Sequence, residues 1–567
     1  MVRILSIDFV VRILAAIATG IMIACGFPGS QFPTMSLGFL LPIALLPLFL
    51  ALETLPTNGG TTGVRYSREK PVTSFARFKW AFILCWISGI VAVFFAFFWV
   101  TYPAILFGKI PKGMAYPGFL FYSLLSGLYF PVLFLPFLWN VSRGTKRPYV
   151  PFPVLAMALT STLIEMYIPR FFHWTLGSLM HSVPQINQWS SIFGFSGATA
   201  FIIYSNGQLA RGFTLQPRNP FRFFMITGGV ALFWSFLYVG GDWRIEQVSA
   251  ELEKAPRTRI GYIQPNFTFD ELSSNPTRSP EAQSQSIETL VRMSEKLVEQ
   301  QGDKKIDLIV WPESTTPTNF LLAPDQQEFV KEFARRTKVP VLVQAIEFDE
   351  QEMKTNRYQE VTTYGVSFLI RPDGAMSSRF KKWIPIPFGE TTPLEDKFPI
   401  LGKLARENIG NLSKVGSGTS YEAIPYTPEL YVGPLICFDS ISPELARLQT
   451  LRGNASILVN QANFVWMERS NAGAEFMELD RFRAIENARS LLVAANTGPS
   501  GAFDPLGREI VQRSELITQS ARVVDLPVYD EITIYTRLGR TPLLIAGIIS
   551  AFFLMIYSGR KASLKRG

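Results

Sequence analysis

Apolar residues run in long blocks through the first 240 positions, and a bilayer core needs about 20 of them per helix. Seven such windows stand out: Val10 to Phe27, Leu37 to Leu52, Trp80 to Val100, Phe119 to Trp139, Phe152 to Ile168, Trp189 to Leu209 and Phe221 to Val239. An eighth, Pro542 to Tyr557, stands alone near the C-terminus. The pattern predicts a transmembrane bundle of about eight helices. No small-residue cleavage site follows the first window, where Phe27-Pro28-Gly29 comes next, so it is expected to be retained rather than removed as a signal peptide.

From about Arg257 to Asp530 the period changes. Short apolar runs predict strands at Arg259 to Ile263, Leu308 to Trp311, Val339 to Ala345, Tyr364 to Ile370, Leu430 to Cys437, Ser456 to Asn460, Leu491 to Asn496 and Arg522 to Asp525. Solid runs such as Ile309-Val310-Trp311 suit strands covered on both faces. Helical patterns interleave with them at Pro280 to Glu299, Asp325 to Lys338, Ser442 to Gly453 and Ala474 to Ser490. Such alternation makes an α/β domain. In the last helix Phe476, Leu479, Phe482, Ile485 and Ala488 form a core face, leaving Arg481, Arg483 and Arg489 for the rest of the surface. The expected division is residues 1–241 as seven membrane helices, 242–535 as the catalytic domain, and 536–567 as a final helix with a basic tail.

Composition agrees with a membrane protein: charged residues are only 17% against 48% hydrophobic. The net charge of +9 would suit a nucleic-acid binder if it lay on one folded face. It does not. The helical segments together carry about +17 and residues 242–539 about −8, so the basic excess is a topology signal and no nucleic-acid partner is expected. One side of the bundle collects Arg3 and Arg12; Arg65, Arg68, Lys70, Arg77 and Lys79; Arg143, Lys146 and Arg147; Arg211, Arg218 and Arg222; and Arg560, Lys561, Lys565 and Arg566. The other has Lys109, Lys112 and Arg170 in its short loops. By the positive-inside rule both termini are cytoplasmic and the α/β domain lies across the membrane. Glu165, inside the fifth window, is either a functional intramembrane carboxylate or a helix-pairing group. The two histidines, His173 and His181, are expected in solvent or at the interface, and are too few for a His-rich metal cage. Three separated cysteines, Cys25, Cys85 and Cys437, exclude a disulfide framework.

There is no internal repeat, GxGxxG or Walker loop. Gly416-Ser417-Gly418-Thr419 reads as a surface turn. Three other segments put reactive groups at the ends of apolar strands, where open α/β sheets place their sites. They are Trp311-Pro312-Glu313-Ser314, the run from Phe380-Lys381-Lys382 to Pro387-Phe388-Gly389-Glu390, and Ile436-Cys437-Phe438-Asp439. Singly, a strand-end cysteine is more often a small buried hydrophobe, and Glu or Lys at such positions is usually solvated. Together they supply a thiol, a carboxylate that can act as its base without histidine, and a cation for thiolate and oxyanion.

Glu, Lys and Cys in this order, in the contexts WPES, K-x4-PFGE and CFD, resemble the nitrilase superfamily, whose fold is an αββα sandwich. Fused to a helical bundle, the chain is similar to the apolipoprotein N-acyltransferases. Pro387 to Glu395, Arg481-Phe482-Arg483-Ala484-x-Glu486-x-Ala488-Arg489, Asn496-Thr497-Gly498 and Gln264-Pro265-Asn266 also fit. The resemblance implies Glu313 as general base, Lys382 rather than Lys381 as oxyanion and thiolate partner, Cys437 as nucleophile and Glu390 as a further active-site carboxylate. Phe438, Asp439 and Trp466 are additional site candidates, and Phe388, Leu401 and Leu404 are candidates for substrate contact or an interfacial lid. Phe320, Leu321 and Leu322 form a second lid candidate beside the reading that they are core. Three positions depart from the family pattern: Cys-Phe-Asp stands where Cys-Tyr-Glu is common, Asn463-Phe464-Val465-Trp466-Met467 where Asn-Asp-x-Trp-Phe is usual, and Phe476 where a histidine is often found.

The implied reaction moves an acyl chain from a membrane phospholipid, through a Cys437 thioester, to the α-amine of a diacylglyceryl-cysteine apolipoprotein, with no metal or cofactor. The implied place is the bacterial inner membrane with a periplasmic catalytic domain. A membrane-tethered amidase or hydrolase, and an inactive scaffold homologue, remain open beside it.

Overall fold

The computed structural model describes residues 7–28, 36–55, 73–106, 108–143, 151–170, 172, 174–215, 219–268, 271, 280–354, 361–387, 389–392, 394–395, 397–408, 414–467, 470 and 472–563. Phe388, His173 and much of the basic-loop set, including Arg65, Arg68, Lys70, Lys146 and Arg147, lie outside them. By packing, the chain forms two units. One comprises residues 1–98, 116–244 and 540–567, the other 99–115 and 245–539.

The first unit is helical throughout its apolar windows. Among the described residues three helices are long and apolar enough to cross a membrane: Ser74–Ala96, Lys112–Leu133 and Pro220–Leu252. Shorter apolar helices cover Gly38–Glu53, Pro153–Tyr167 and Thr541–Tyr557. Two windows are broken where prolines remove a donor and disturb the preceding turn. The second splits into Leu41–Ala44 and Leu46–Glu53, with Pro42 and Pro47 in their first turns. The fourth splits around Pro131 and Pro136 into Lys112–Gly127, Tyr129–Leu133 and Leu135–Ser142.

Backbone groups freed by such breaks need partners where water is absent. Asn206 supplies two: its Oδ1 accepts from Leu45 N at 3.0 Å and its Nδ2 donates to Leu41 O at 2.9 Å. The Thr19 hydroxyl accepts from Leu48 N at 3.1 Å. Glu165 does similar work. It is fully buried, receives the Tyr129 hydroxyl, and accepts from Leu176 N at 3.0 Å. Its contacts fit the helix-pairing reading, since they tie a helix end to the following turn. His181 corrects its expectation: it is buried at 7% exposure, with Nε2 2.7 Å from the Ser36 hydroxyl. A short chain segment folds back over it, which no sequence pattern marked.

The second unit is built on two six-stranded sheets. The first contains β1 (Arg257–Gln264), β2 (Leu308–Val310), β3 (Val341–Phe348), β4 (Thr363–Ile370), β5 (Phe380–Lys381) and β12 (Ser520–Pro527), in the order β12-β1-β2-β3-β4-β5. The second contains β6 (Ile424–Pro425), β7 (Tyr431–Ile436), β8 (Ile457–Ala462), β9 (Ser490–Ala495), β10 (Gly501–Phe503) and β11 (Glu509–Val511), in the order β11-β10-β9-β8-β7-β6. Each has a parallel centre, β1-β2-β3 or β7-β8-β9, and antiparallel edges. Helices Pro280–Gln301 and Pro324–Thr337 cover the outer face of the first sheet, burying Ile287, Leu290, Val330 and Phe333 with Trp311 and Phe368. Helices Pro443–Leu451 and Ala472–Asn487 pack with the second.

The inner faces meet through polar groups as well as apolar ones. From β8, Gln461 donates to Trp311 O at 2.6 Å and accepts from the Ser367 hydroxyl of β4 at 2.5 Å. Buried on both faces, β8 and β9 have no exposed position, which explains their unbroken apolar runs. The αββα sandwich is therefore present.

In the helical unit, a Cβ on Gly89 would sit 2.2 Å from Gly127 O, so the two backbones touch at that crossing. Gly89→Val is expected to cost about 1–3 kcal/mol by forcing them apart. Thermal unfolding in detergent should show a lowered midpoint; an unchanged midpoint would mean the crossing has slack.

Candidate active site

Each reactive side chain sits one step beyond a buried strand. β2 ends at Val310, Trp311 and Pro312 carry the chain on, and Glu313 turns inward with 6% exposure. Ser314 behind it has φ +61° and its N–H donates to Gln344 Oε1 at 2.7 Å, which fixes the turn. β7 ends at Ile436. Cys437 then adopts φ +50°, a left-handed conformation that a non-glycine residue rarely takes and that a tight strand-to-helix turn imposes here.

Lys382 follows the two-residue strand β5. Its backbone is held from both sides, by Lys382 N to Gly365 O at 2.8 Å and by Gly418 N to Lys382 O at 2.6 Å. Residues 416–419 lie at the surface as expected, with Ser417 and Thr419 exposed, and the second bond ties them to the lysine segment. A Cβ at Gly418 would lie 2.3 Å from Lys381 O, so that glycine is needed for close approach beside the lysine. The neighbouring lysine points elsewhere: Lys381 Nζ is 3.3 Å from Glu347 Oε2 and 3.9 Å from the Tyr364 ring centroid.

The buried lysine joins the carboxylates. Lys382 Nζ lies 3.0 Å from Glu313 Oε1 and 2.8 Å from Glu390 Oε1, with its side chain 1% exposed. The other oxygen of Glu390 accepts from Ile386 N at 2.8 Å, which closes the loop around the lysine. The charges of Glu313, Lys382 and Glu390 all act on the Cys437 thiol, and Asn460 Nδ2 donates to Cys437 O at 3.5 Å. Glu313, Lys382, Cys437 and Glu390 thus form one cluster.

Electrostatics follow from burial. Desolvation, with the Glu390 charge adding to it, raises Glu313 above the ordinary carboxylate range, while Lys382 pulls the other way. Burial opposes the charge of Lys382, yet Glu313 and Glu390 hold it well above the ordinary lysine value. Burial and the Glu313 charge push the Cys437 thiol well up, against Lys382. The resting site is a neutral thiol under the charges of a carboxylate and an ammonium. It can deliver a thiolate at the moment of attack without storing one.

Asp439 is a positioning group. Its Oδ1 accepts from Trp383 N at 2.9 Å and Ile384 N at 2.8 Å, and its Oδ2 from Ile436 N at 3.2 Å. It pins the chain after Lys382 to the strand before Cys437. Burial raises its carboxyl to about 7 although these three donors favour the charged form. Phe438 is buried with its ring 5.9 Å from Phe476, which stacks in turn on Phe464 at 5.8 Å. Trp466 packs against the core of the first sheet. Leu401 and Leu404 lie on helix Pro399–Asn408, 40% and 48% exposed.

Sequence reasoning misplaced several supports. Arg483 is fully buried rather than superficial, 2.8 Å from Glu486 and donating to Ser440 O at 3.2 Å, and Arg489 is 5% exposed. Asp480 accepts from Asn460 Nδ2 at 3.1 and 3.0 Å beneath the nucleophile turn, and burial raises its carboxyl to about 7. The i,i+3 Arg-Glu spacing was the available signal. Phe320 is fully buried and only Leu322 of its trio is exposed, so that stretch is core.

Residues 274–529 match the family described as carbon-nitrogen hydrolase. Over 503 residues the chain is 26% identical to an apolipoprotein N-acyltransferase of Geobacter metallireducens, covering 87% of this chain and 85% of that protein. It is 24% identical to one of Chlorobaculum tepidum over 554 residues, 94% and 93% of the two. Among solved structures it is similar to Saccharomyces cerevisiae Nit3, at 18% identity and a TM-score of 0.35, covering 48% of this chain and 90% of that one. A carbon-nitrogen hydrolase domain joined to apolar helices makes this chain similar, along most of its length, to these apolipoprotein N-acyltransferases.

Proposed function

We propose that this protein transfers an acyl chain from a membrane phospholipid to the α-amine of an N-terminal diacylglyceryl-cysteine on lipoproteins. The observation that carries the reading is the buried Cys437 thiol under the charges of the Glu313 carboxylate and the Lys382 ammonium, which are themselves 3.0 Å apart. In the first step Glu313 takes the thiol proton, sulfur attacks the ester carbonyl, and Lys382 faces the developing charge. The C–O bond breaks, the lysophospholipid alkoxide takes the proton from Glu313, and a thioester remains. In the second step the free amine attacks the thioester, the C–S bond breaks, and Glu313 relays the amine proton to the departing thiolate. Amide formation from a thioester is downhill, so neither ATP nor a metal enters the scheme.

Both substrates are amphiphiles, which gives a purpose to the apolar helices. The catalytic unit is assigned to the periplasmic side of a bacterial inner membrane, with both termini cytoplasmic, on the distribution of Lys and Arg. Leu394, Phe398, Ile400, Leu401 and Leu404 are exposed beside exposed Lys397 and Lys403. An apolar patch with basic flanks suits a lid resting on lipid headgroups.

Incubation with phospholipid vesicles should add an acyl mass to Cys437, and a diacylglyceryl-cysteine peptide should remove it as an N-acyl product. Cys437→Ala should abolish both signals; release of free fatty acid without amide would instead make the enzyme a hydrolase. A second expectation concerns the base. Glu313→Gln should slow alkylation of Cys437 by a small neutral haloacetamide at pH 7 by at least tenfold, because the thiol loses its proton acceptor; an unaltered rate would remove Glu313 from that role. Third, replacing Leu401 and Leu404 with serine should reduce turnover of vesicle phospholipid several-fold more than acylation by a soluble activated ester. Equal losses would mark the patch as merely structural.

A further inference from the structure

One carboxylate near the site takes no part in this scheme. Glu475 lies in the first turn of helix Ala472–Asn487. Its Oε2 accepts from the indole N–H of Trp99 at 3.3 Å, while its Oε1 is enclosed and has no hydrogen-bond partner among the described residues. Other buried carboxylates of this unit are matched: Glu313 to Lys382, Glu486 to Arg483, Asp439 to three backbone N–H groups. Enclosure without a cation raises the Glu475 carboxyl well above the ordinary range, with Trp99 opposing. A group in that state gains from any donor that arrives, and most from a charged one.

Its surroundings lead to the nucleophile. The next residue, Phe476, packs on Phe438, which follows Cys437, and stacks on Phe464, which follows Asn463. Asn463 comes directly after β8, whose Asn460 donates to Cys437 O at 3.5 Å. The turn Val465–Met467 then packs against helix Thr101–Leu106, the segment that begins with Trp99. Residues 99–106, 463–467 and 475–476 therefore converge within one unit, with Phe476 against the residue that follows the nucleophile. The aromatic rings between them offer no hydrogen-bond acceptor, so among the described residues Glu475 is the anionic group of that cluster.

We infer that Glu475, oriented by Trp99, is the recognition group for the ammonium head of the acceptor, receiving the N-terminal amine as it approaches the Cys437 thioester. This rests on the acyltransfer reading above. The chemical class it selects is a primary amine carried by a lipid-modified peptide, and the aromatic wall of Phe438, Phe464 and Phe476 suits the apolar remainder of such a head.

The test uses the full-length protein in nanodiscs, first acylated on Cys437 with a soluble activated palmitoyl ester. Decay of the thioester is then followed with increasing diacylglyceryl-cysteine peptide and, separately, with hydroxylamine, a small neutral nucleophile that needs no cation subsite. For Glu475→Gln the peptide concentration at half-maximal rate should rise at least tenfold, with discharge by hydroxylamine within a factor of two of the parent protein. Trp99→Phe should shift the peptide dependence in the same direction by a smaller factor. Equal loss toward both nucleophiles, or no change toward either, overturns the assignment. Failure of the unmodified protein's thioester to be discharged by the peptide would instead overturn the acyltransfer reading itself, and Glu475's role with it.

Discussion

A single buried ammonium organises the catalytic unit. Lys382 is almost wholly enclosed, and an enclosed cation is stable only while its partners stay in place; removing one partner of such a pair typically costs about 3–5 kcal/mol. Its two carboxylates come from different parts of the chain, Glu313 from the end of β2 and Glu390 from a loop eight residues beyond the lysine. Satisfying the charge thus fixes the strand end, the proline-rich loop and the lysine segment together. Asp439 extends the constraint to the nucleophile, since its carboxyl holds Trp383 and Ile384 against the last residue of β7. Cys437 is brought to Glu313 by an arrangement whose first requirement is electrical neutrality around Lys382.

What the sequence revealed depended on how strongly burial wrote itself into the residues. β8 and β9, covered on both faces, read as solid apolar runs and their positions were legible. β5 and β6, of two residues each, carry no period at all and exist because a neighbouring strand offers its backbone. The reactive Glu, Lys and Cys were legible as types at strand ends and became sharp through the resemblance of their contexts. Arg483 was misread because an amphipathic helix is assumed to have one wet face, whereas helix Ala472–Asn487 is buried on most sides and neutralises its arginine internally with Glu486. Gly418 looked like an ordinary loop glycine because close approach to Lys381 depends on a partner far away in sequence.

The helical unit solves a related problem with neutral groups. Prolines at 42, 47, 131 and 136 interrupt apolar windows that hydropathy alone would draw as straight helices. The freed backbone groups around the first two are taken up by Asn206 and Thr19, side chains that a hydropathy profile counts only as blemishes. Polar residues inside these windows mark where the backbone departs from a helix, and Glu165 with Tyr129 and Leu176 belongs to the same class.

The three departures from the family pattern have a common physical consequence. Phe438 and Phe476 replace groups that would carry a hydroxyl or an imidazole, and both rings pack together with Phe464 beside the nucleophile turn. Those rings carry no proton donor or acceptor, and the charges that act on the sulfur are those of Glu313, Lys382 and Glu390. With the Asp439 side chain a methylene shorter than a glutamate, its carboxyl stays within reach of the backbone N–H groups of 383, 384 and 436 and serves position.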